Sequence, residues 1–504
     1  MGCCLKHSFT KRSAGILLPI SSLPSNYGIG TFGKDAYEFV DFLKNSNQQY
    51  WQMLPLGPTS FGDSPYQSFS AFAGNPYYID LDILCEEGLL NKDEVTAFDW
   101  GSNEIDVDYK KLFDSRFIVL RSAFNRFDRN LEAFNNFKRE NEYWLYDYSF
   151  YMALKFRFDN KDWLQWDEGI RMRTPDALNH YSLELKEEIE FFSFIQYKFF
   201  EQWNKLKEYA TKNNVKIIGD MPIYVSMDSA DAWVNTRLFL FDENKRPVKV
   251  AGVPPDIFSE TGQLWGNPLY NWSEMEKDDF SWWKKRVEFA TKFYDVIRID
   301  HFIGIVRFYT VDAGRNNAME GTWEPGPGIK LINAINSVIG STSIIAEDLG
   351  VVTQEVIDLL ETTGLPNMKV MQFGFDTSAE NDHKPFNYKE NCVVYGGTHD
   401  NNTMLGYYKE QTHEQKQYIL NYLNAKSEHD VAWSAIKVGY NSVAKLAIFQ
   451  IQDFIALDSS ARINTPSTVG INWRWRLKKG QYNNELAIEI SKLVEMYGRG
   501  HAKN

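Results

Sequence analysis

A closed (β/α)8 barrel of the TIM type, an α/β fold, is what this sequence predicts, with large, mainly helical insertions placed chiefly between strands 2 and 3. Three observations carry the prediction. Eight short runs rich in Val, Ile and aromatic residues recur along the chain, each closing on polar or turn-forming residues. They read as continuous apolar strands, the pattern of a parallel sheet covered on both faces. Segments with apolar residues at i, i+3, i+4 and i+7 lie between most of them, so strand and helix alternate. A doubly wound open sheet is the alternative arrangement of the same units.

The first run is AGILLPIS (14–21), followed by helical periodicity from Phe32 to Leu43. YWQMLPLG (50–57) is the second and VKIIGD (215–220) the third. The interval 58–212 contains YKKLFDSRFIVLRSAF (109–124), NEYWLYDYSFYMALKF (141–156) and EIEFFSFIQYKFFEQWNKLKEYA (188–210), each with a helical stripe, and reads as a mainly helical insertion subdomain. Residues 221–294 read as a loop-rich insertion after strand 3. DVIRID (295–300), SIIAED (343–348), MKVMQF (368–373), CVVYGG (392–397) and AIFQIQD (447–453) complete the set, with the helical TQEVIDLLETTG (353–364) between the fifth and sixth. No short repeat, low-complexity tract or long linker divides the chain, so residues 1–504 read as a single catalytic barrel unit.

A chain of 504 residues with 43% hydrophobic composition can bury a large core. The net charge of −13, without any Lys/Arg-rich block, argues against nucleic acid and acidic membrane surfaces as partners and favours a neutral or weakly charged one. The four cysteines, Cys3, Cys4, Cys85 and Cys392, lack the spacing of a zinc site, and their scarcity fits a reducing compartment. The first apolar run is too short and too late for a secretion signal, Lys6 stands where the myristoylation pattern has Ser or Thr, and no 18-residue apolar stretch follows. A cytoplasmic location is expected. Aromatic residues reach 15%, with 15 Trp, more flat apolar surface than an ordinary core needs.

Four of the eight strands end in an acid: Asp220 in KIIGDMPIYV, Asp300 in DVIRIDHF, Glu347 in SIIAEDLG, and Asp400 just past the seventh strand in VVYGGTHDNN. An Asp after a strand often caps the next helix, which accounts for any one of them alone. Strands of a parallel barrel all point their C-termini to one mouth, so four such acids, with Arg298, His301 and His399 beside them, converge in space. Carboxyls crowded there push one another's proton affinities apart, as a protonated acid working beside an ionised carboxylate requires. Arg298 and Asp300 are two residues apart on one strand and project to the same face.

Two reaction classes use acids at barrel strand ends. In the enolase type, carboxylates hold Mg²⁺ while Lys or His abstracts a proton. In the retaining glycosidase type, one carboxylate attacks the anomeric carbon and a second, protonated, donates to the leaving oxygen. An Arg on the face of the acids opposes a divalent cation, and no strand-end segment closes on a lysine that could serve as base, so the second class is favoured. No cofactor or metal is expected. Sugar rings pack on flat aromatic faces, and the loops GPTSFGDSPYQSFSAFAGNPYYID (57–80) and GVPPDIFSETGQLWGNPLYNW (252–272) follow strands 2 and 3 with such rings; ordinary loop packing is the other account of a residue such as Trp265.

At these residues the sequence resembles the 4-α-glucanotransferases (amylomaltases, disproportionating enzymes) of glycoside hydrolase family 77 in the α-amylase superfamily. The resemblance runs from GILLPISSLPSNYGIGTFG through LPLGPTSFGDSPYQSFSAFAGNP, GDMPIYV, GVPPDIFSETGQLWGNPLY, RIDHF, AEDLG and GTHDN to ARINTPS. It implies that Asp300 is the nucleophile, Glu347 the general acid/base and Asp400 the stabiliser of the distorted sugar and its oxocarbenium-like transition state. It further implies that Asp220, Arg298, His301 and His399 contact the reacting sugar, with Ser64 and Tyr66 as additional sugar contacts. The loop carrying Pro255, Asp256, Phe258 and Trp265 is similar to the family's flexible loop at the acceptor site, and Asn464 in RINTP is carried over with them. After INTP the chain reads STVGINWRWR, where the family pattern is more glycine-rich. The implied activity moves an α-1,4-glucan segment from a maltodextrin donor to the 4-hydroxyl of glucose or another maltodextrin. A maltodextrin hydrolase using the same acids is the alternative in the same chemistry, and a non-catalytic glucan-binding protein the alternative in a different class.

Overall fold

The computed structural model describes residues 9–255 and 259–500. Eight parallel strands close a barrel: β1 (Ser13–Leu17), β2 (Tyr50–Gln52), β3 (Lys216–Met221), β4 (Val296–Ile299), β5 (Ser343–Ala346), β6 (Asn367–Val370), β7 (Cys392–Tyr395) and β8 (Leu446–Gln450). Each pairs with its neighbours in chain order, and β1 closes the ring against β8 from Ser13↔Leu446 to Leu17↔Gln450. All eight runs read from the sequence are barrel strands. Their side chains are almost wholly buried, as expected of a sheet with a filled interior and a helical jacket.

Helices sit where the 3.6-residue periodicity put them. Lys34–Asn45 follows β1, and Gln354–Thr363 lies between β5 and β6. Between β2 and β3, Tyr109–Arg126, Glu142–Arg157 and Lys186–Lys212 are the principal helices. The last of these explains much of the aromatic content. Phe199 and Trp203 meet Phe32, just ahead of helix Lys34–Asn45, at 5.1 and 5.3 Å, and Trp203 stacks on Phe293 at 6.0 Å, so rings seal this helix to the segments around the barrel.

Residues 221–294, read from the sequence as loop-rich, contain more regular structure than that. Lys249–Val253 and Gln263–Pro268 are antiparallel strands of a second sheet, completed by Arg307–Asp312 and Thr322–Pro325 from beyond β4, and helix Ser281–Phe293 leads into β4. KVAGV and QLWGNP carry Gly, Asn and Pro, poor strand formers, and the further partner of KVAGV, Arg307–Asp312, is remote in sequence. Local pattern therefore could not reveal them. Among the described residues no helix is long and apolar enough to cross a membrane, and Cys85 and Cys392 are free thiols.

Candidate active site

The acids converge as barrel geometry requires. Asp220 on β3 stands opposite Arg298 on β4, and Arg298 Nη1 donates to both Asp220 oxygens at 2.7 Å and to Asp300 Oδ1 at 3.0 Å. Asp220 and Arg298 are buried, whereas the Asp300 side chain keeps 26% of its surface open to the cleft. Glu347, one residue past β5, is held by two backbone donors: His301 N at 2.6 Å on Oε2 and Leu349 N at 2.8 Å on Oε1. The first contact depends on a left-handed turn at His301, φ 48°, an unusual conformation for an imidazole-bearing residue immediately after a strand. His301's ring meets the Trp265 ring edge-on at 4.8 Å.

The β2 loop supplies Tyr66, whose hydroxyl donates to Asp220 Oδ2 at 2.7 Å and lies 2.8 Å from His399 Nε2, the two rings stacked 5.3 Å apart. His399 Nε2 is also 3.2 Å from Asp400 Oδ2, so one proton on that nitrogen serves the hydroxyl and the carboxylate together. Asn464 Nδ2 donates to Asp400 Oδ1 at 2.6 Å. A continuous polar chain thus runs from Arg298 through Asp220, Tyr66, His399 and Asp400 to Asn464. Ser64 accepts the Tyr66 N–H at 3.3 Å and so shapes the turn that presents Tyr66. Trp265 lies on the Gln263–Pro268 strand, half-buried. Pro255 is exposed on the loop between the Lys249–Val253 and Gln263–Pro268 strands, while Asp256 and Phe258 lie outside the described residues.

Two contributors were not read from the sequence. Arg462 donates to the Asp400 and Asn464 carbonyl oxygens, both at 2.8 Å, clamping the segments that carry those residues. Its position two residues before Asn464 repeats the spacing of Arg298 and Asp300, the one signal that could have found it. Trp473 packs 5.8 Å from the Tyr66 ring and 6.0 Å from His399, and nothing local in NWRWR marks it. In this stretch, less glycine-rich than the family pattern, Ser467 and Trp473 themselves adopt φ of 65°.

The electrostatics divide the carboxyls. Burial pushes Glu347 up to about 8 against the pull of Arg298, with the negative charge of Asp300 adding to the rise. Burial also raises Asp300, to about 6, but Arg298 opposes it there while Asp220 and Asp400 reinforce it. Asp400 goes the other way: burial would raise it, yet His399 and the hydrogen bond from Asn464 outweigh that and bring it to about 2. Burial lowers His301 to about 4, so its imidazole is neutral. One carboxyl that keeps its proton beside two that lose theirs is the arrangement that acid-assisted nucleophilic displacement at a sugar carbon requires.

A parallel barrel with this division of acids at its mouth defines the carboxylate-dependent, glycoside-cleaving class. Within that class the chain belongs to the 4-α-glucanotransferase family, glycoside hydrolase family 77, whose model matches residues 18–482. It is 48% identical over 483 residues to the 4-α-glucanotransferase of Clostridium butyricum, a match covering 95% of this chain and 99% of that protein. With the 4-α-glucanotransferase of Thermus thermophilus the identity is 44%, covering 96% and 98%. The solved amylomaltase of Streptococcus agalactiae in complex with acarbose superposes with a TM-score of 0.95 at 42% identity, covering 97% of this chain and 100% of that one. The chain is accordingly an enzyme of the 4-α-glucanotransferase class.

Proposed function

We propose that this enzyme cleaves an α-1,4-glucan, holds the donor segment as a glycosyl ester on Asp300 and passes it to the 4-hydroxyl of glucose or of another maltodextrin. The single observation that carries the assignment of roles is the contact pattern of the acids: Arg298 is bonded to Asp300, Glu347 is held by backbone N–H groups alone, and Asp400 is bonded by Asn464. In the first step Glu347 gives its proton to the glycosidic oxygen as the C1–O4 bond breaks, and the Asp300 carboxylate forms a bond to C1. Glu347 is now a carboxylate, a form that its two backbone N–H donors favour. In the second step it takes the proton from the acceptor 4-hydroxyl as that oxygen bonds to C1 and Asp300 leaves. Two displacements at one carbon retain its configuration.

Arg298 keeps Asp300 ionised and aligned, and Asp400 lies across the cluster as a fixed negative charge for the developing oxocarbenium ion. Asp220, Tyr66, His301 and His399 contribute polar groups around the reacting sugar. Ser64 and Asn464 act through Tyr66 and Asp400, to which they are bonded. Trp265 and Pro255 form the acceptor side, where water must be excluded for transfer to exceed hydrolysis. A cytoplasmic location accords with the free thiols of Cys85 and Cys392. The test is incubation of the enzyme with maltotriose alone. Transfer yields a ladder of longer maltodextrins together with glucose, whereas a hydrolase yields glucose and maltose without the ladder.

A further inference from the structure

β7 ends at Tyr395, and the segment Gly396–Thr403 that follows carries His399 and Asp400. Its backbone is pinned by side chains from neighbouring segments. Gln372 Nε2 donates to Asn402 O at 2.7 Å, Gln450 Nε2 to Thr398 O at 3.0 Å, and Arg462 Nη2 to Asp400 O at 2.8 Å. The remaining anchor is Asp453, 1% exposed, on the short helix Ile451–Phe454 after β8. Its Oδ1 accepts the N–H of Met404, the first residue of helix Met404–Glu410, at 2.7 Å. Its Oδ2 is buried with no hydrogen-bond partner and lies against Gly396, where a Cβ would stand 3.3 Å from it.

An ionised carboxylate in that position would have one N–H in place of a hydration shell, which carries a large desolvation cost. No counter-charge offsets it. Of the ionisable groups on the surrounding elements, Glu410 accepts from Asn402 and Ser459, Lys409 pairs with Asp458, and Arg462 donates to backbone carbonyls. His399 and Asp400 face each other, and Lys437 of helix Val431–Asn441 is exposed. Burial lifts the Asp453 carboxyl to about 7, the Met404 N–H being the one opposing influence.

We propose that Asp453 is a positioning residue for Asp400, anchoring the Gly396–Met404 segment through a neutral, protonated carboxyl. The proposal rests on the role given to Asp400 above. Releasing the Met404 anchor lets the segment shift, and a displacement of the order of 1 Å at a catalytic group costs up to about 100-fold in rate.

The test compares Asp453→Asn and Asp453→Ala in the full chain. Asn preserves the acceptor for Met404 N–H and cannot ionise, so its kcat on maltotriose near pH 6 stays within about threefold of wild type, whereas Ala lowers kcat about 10- to 100-fold with KM little changed. The second readout is Tm against pH. A carboxyl raised to about 7 in the folded chain, from about 3.9 unfolded, contributes stability that is fully present below about pH 4 and lost as pH rises to about 7. The Asn variant lacks that loss. Its Tm relative to wild type therefore climbs between about pH 4 and 7 and levels off above, while the active-site carboxyls common to both proteins cancel.

An Asn variant as slow as Ala, or a Tm difference that does not change with pH, overturns the neutral carboxyl. Wild-type kcat in the Ala variant overturns the positioning role. If Ala does not fold, the two Asn readouts decide. Asp400→Asn made in parallel separates the two assignments: full activity there removes Asp400's role, while the Tm difference at Asp453 still reports its protonation.

Discussion

The buried guanidinium of Arg298, at 2% exposure, has its charge matched by carboxylates, meeting Asp220 and Asp300 through one nitrogen. That contact makes Asp300 easier to ionise than Glu347, which is gripped by backbone N–H groups alone. Replacing Glu347 by Gln leaves the shape of the site and removes its transferable proton. The expected outcome is retained maltodextrin binding with transfer reduced by at least about 100-fold, measured as initial product formation from maltotriose. Turnover near wild type would remove Glu347 from the mechanism. The same pair sets the pH response. The proposed mechanism needs Asp300 ionised and Glu347 protonated in the free enzyme, so kcat/KM is expected to fall as pH drops below about 6 and again as pH rises above about 8. The limbs belong to the pair as a unit, and a profile with no alkaline limb would contradict the acid role of Glu347.

At the level of elements, the second sheet brings an aromatic wall to the barrel mouth. Trp265 reaches His301 because its strand pairs with Lys249–Val253, which pairs in turn with Arg307–Asp312 from just beyond β4. In the proposed reading a ring held there pre-positions an acceptor sugar, which competes with water through effective molarity rather than intrinsic reactivity. Trp265→Ala is expected to lower the ratio of longer maltodextrins to hydrolysis products from maltotriose while the ester on Asp300 still forms. If the ratio is unchanged in a variant that remains folded, the indole is loop packing. The wall was only half legible. The loop and its aromatic neighbours single out Trp265, but a strand written QLWGNP shows its partner only in three dimensions.

The whole molecule depends on closing the ring between β1 and β8, whose residues lie at opposite ends of the chain. Arg499 serves that closure. At 0% exposure it donates to the carbonyl oxygens of Ser13 at the start of β1 and of Gly439, Tyr440 and Ser442 ahead of β8. Arg499→Met keeps much of the side-chain volume and removes four hydrogen bonds, although the Tyr440 and Ser442 carbonyls still accept from Arg12 and the Gly439 carbonyl from Ser442. A stability loss of about 2–4 kcal/mol is expected in denaturant titration, with specific activity per folded molecule unchanged, since Arg499 is bonded far from the acids. An unchanged midpoint would show that water satisfies those carbonyls as well as the guanidinium does.

By itself the sequence determined the eight strands, the main helices and the identity of the acids, because these are written locally: a β-branched run, a 3.6-residue stripe, and a charged residue at the end of an apolar strand. Barrel topology then made convergence of Asp220, Asp300, Glu347 and Asp400 a consequence of strand order. What the acids do was decided by tertiary structure. Proton affinity depends on desolvation and on charges within a few ångströms, so two carboxyls alike in sequence, Asp300 and Asp400, end at about 6 and about 2. For the same reason nothing in AIFQIQD marks its last residue, Asp453, whose unpartnered oxygen folding sets against Gly396 with no counter-charge beside it.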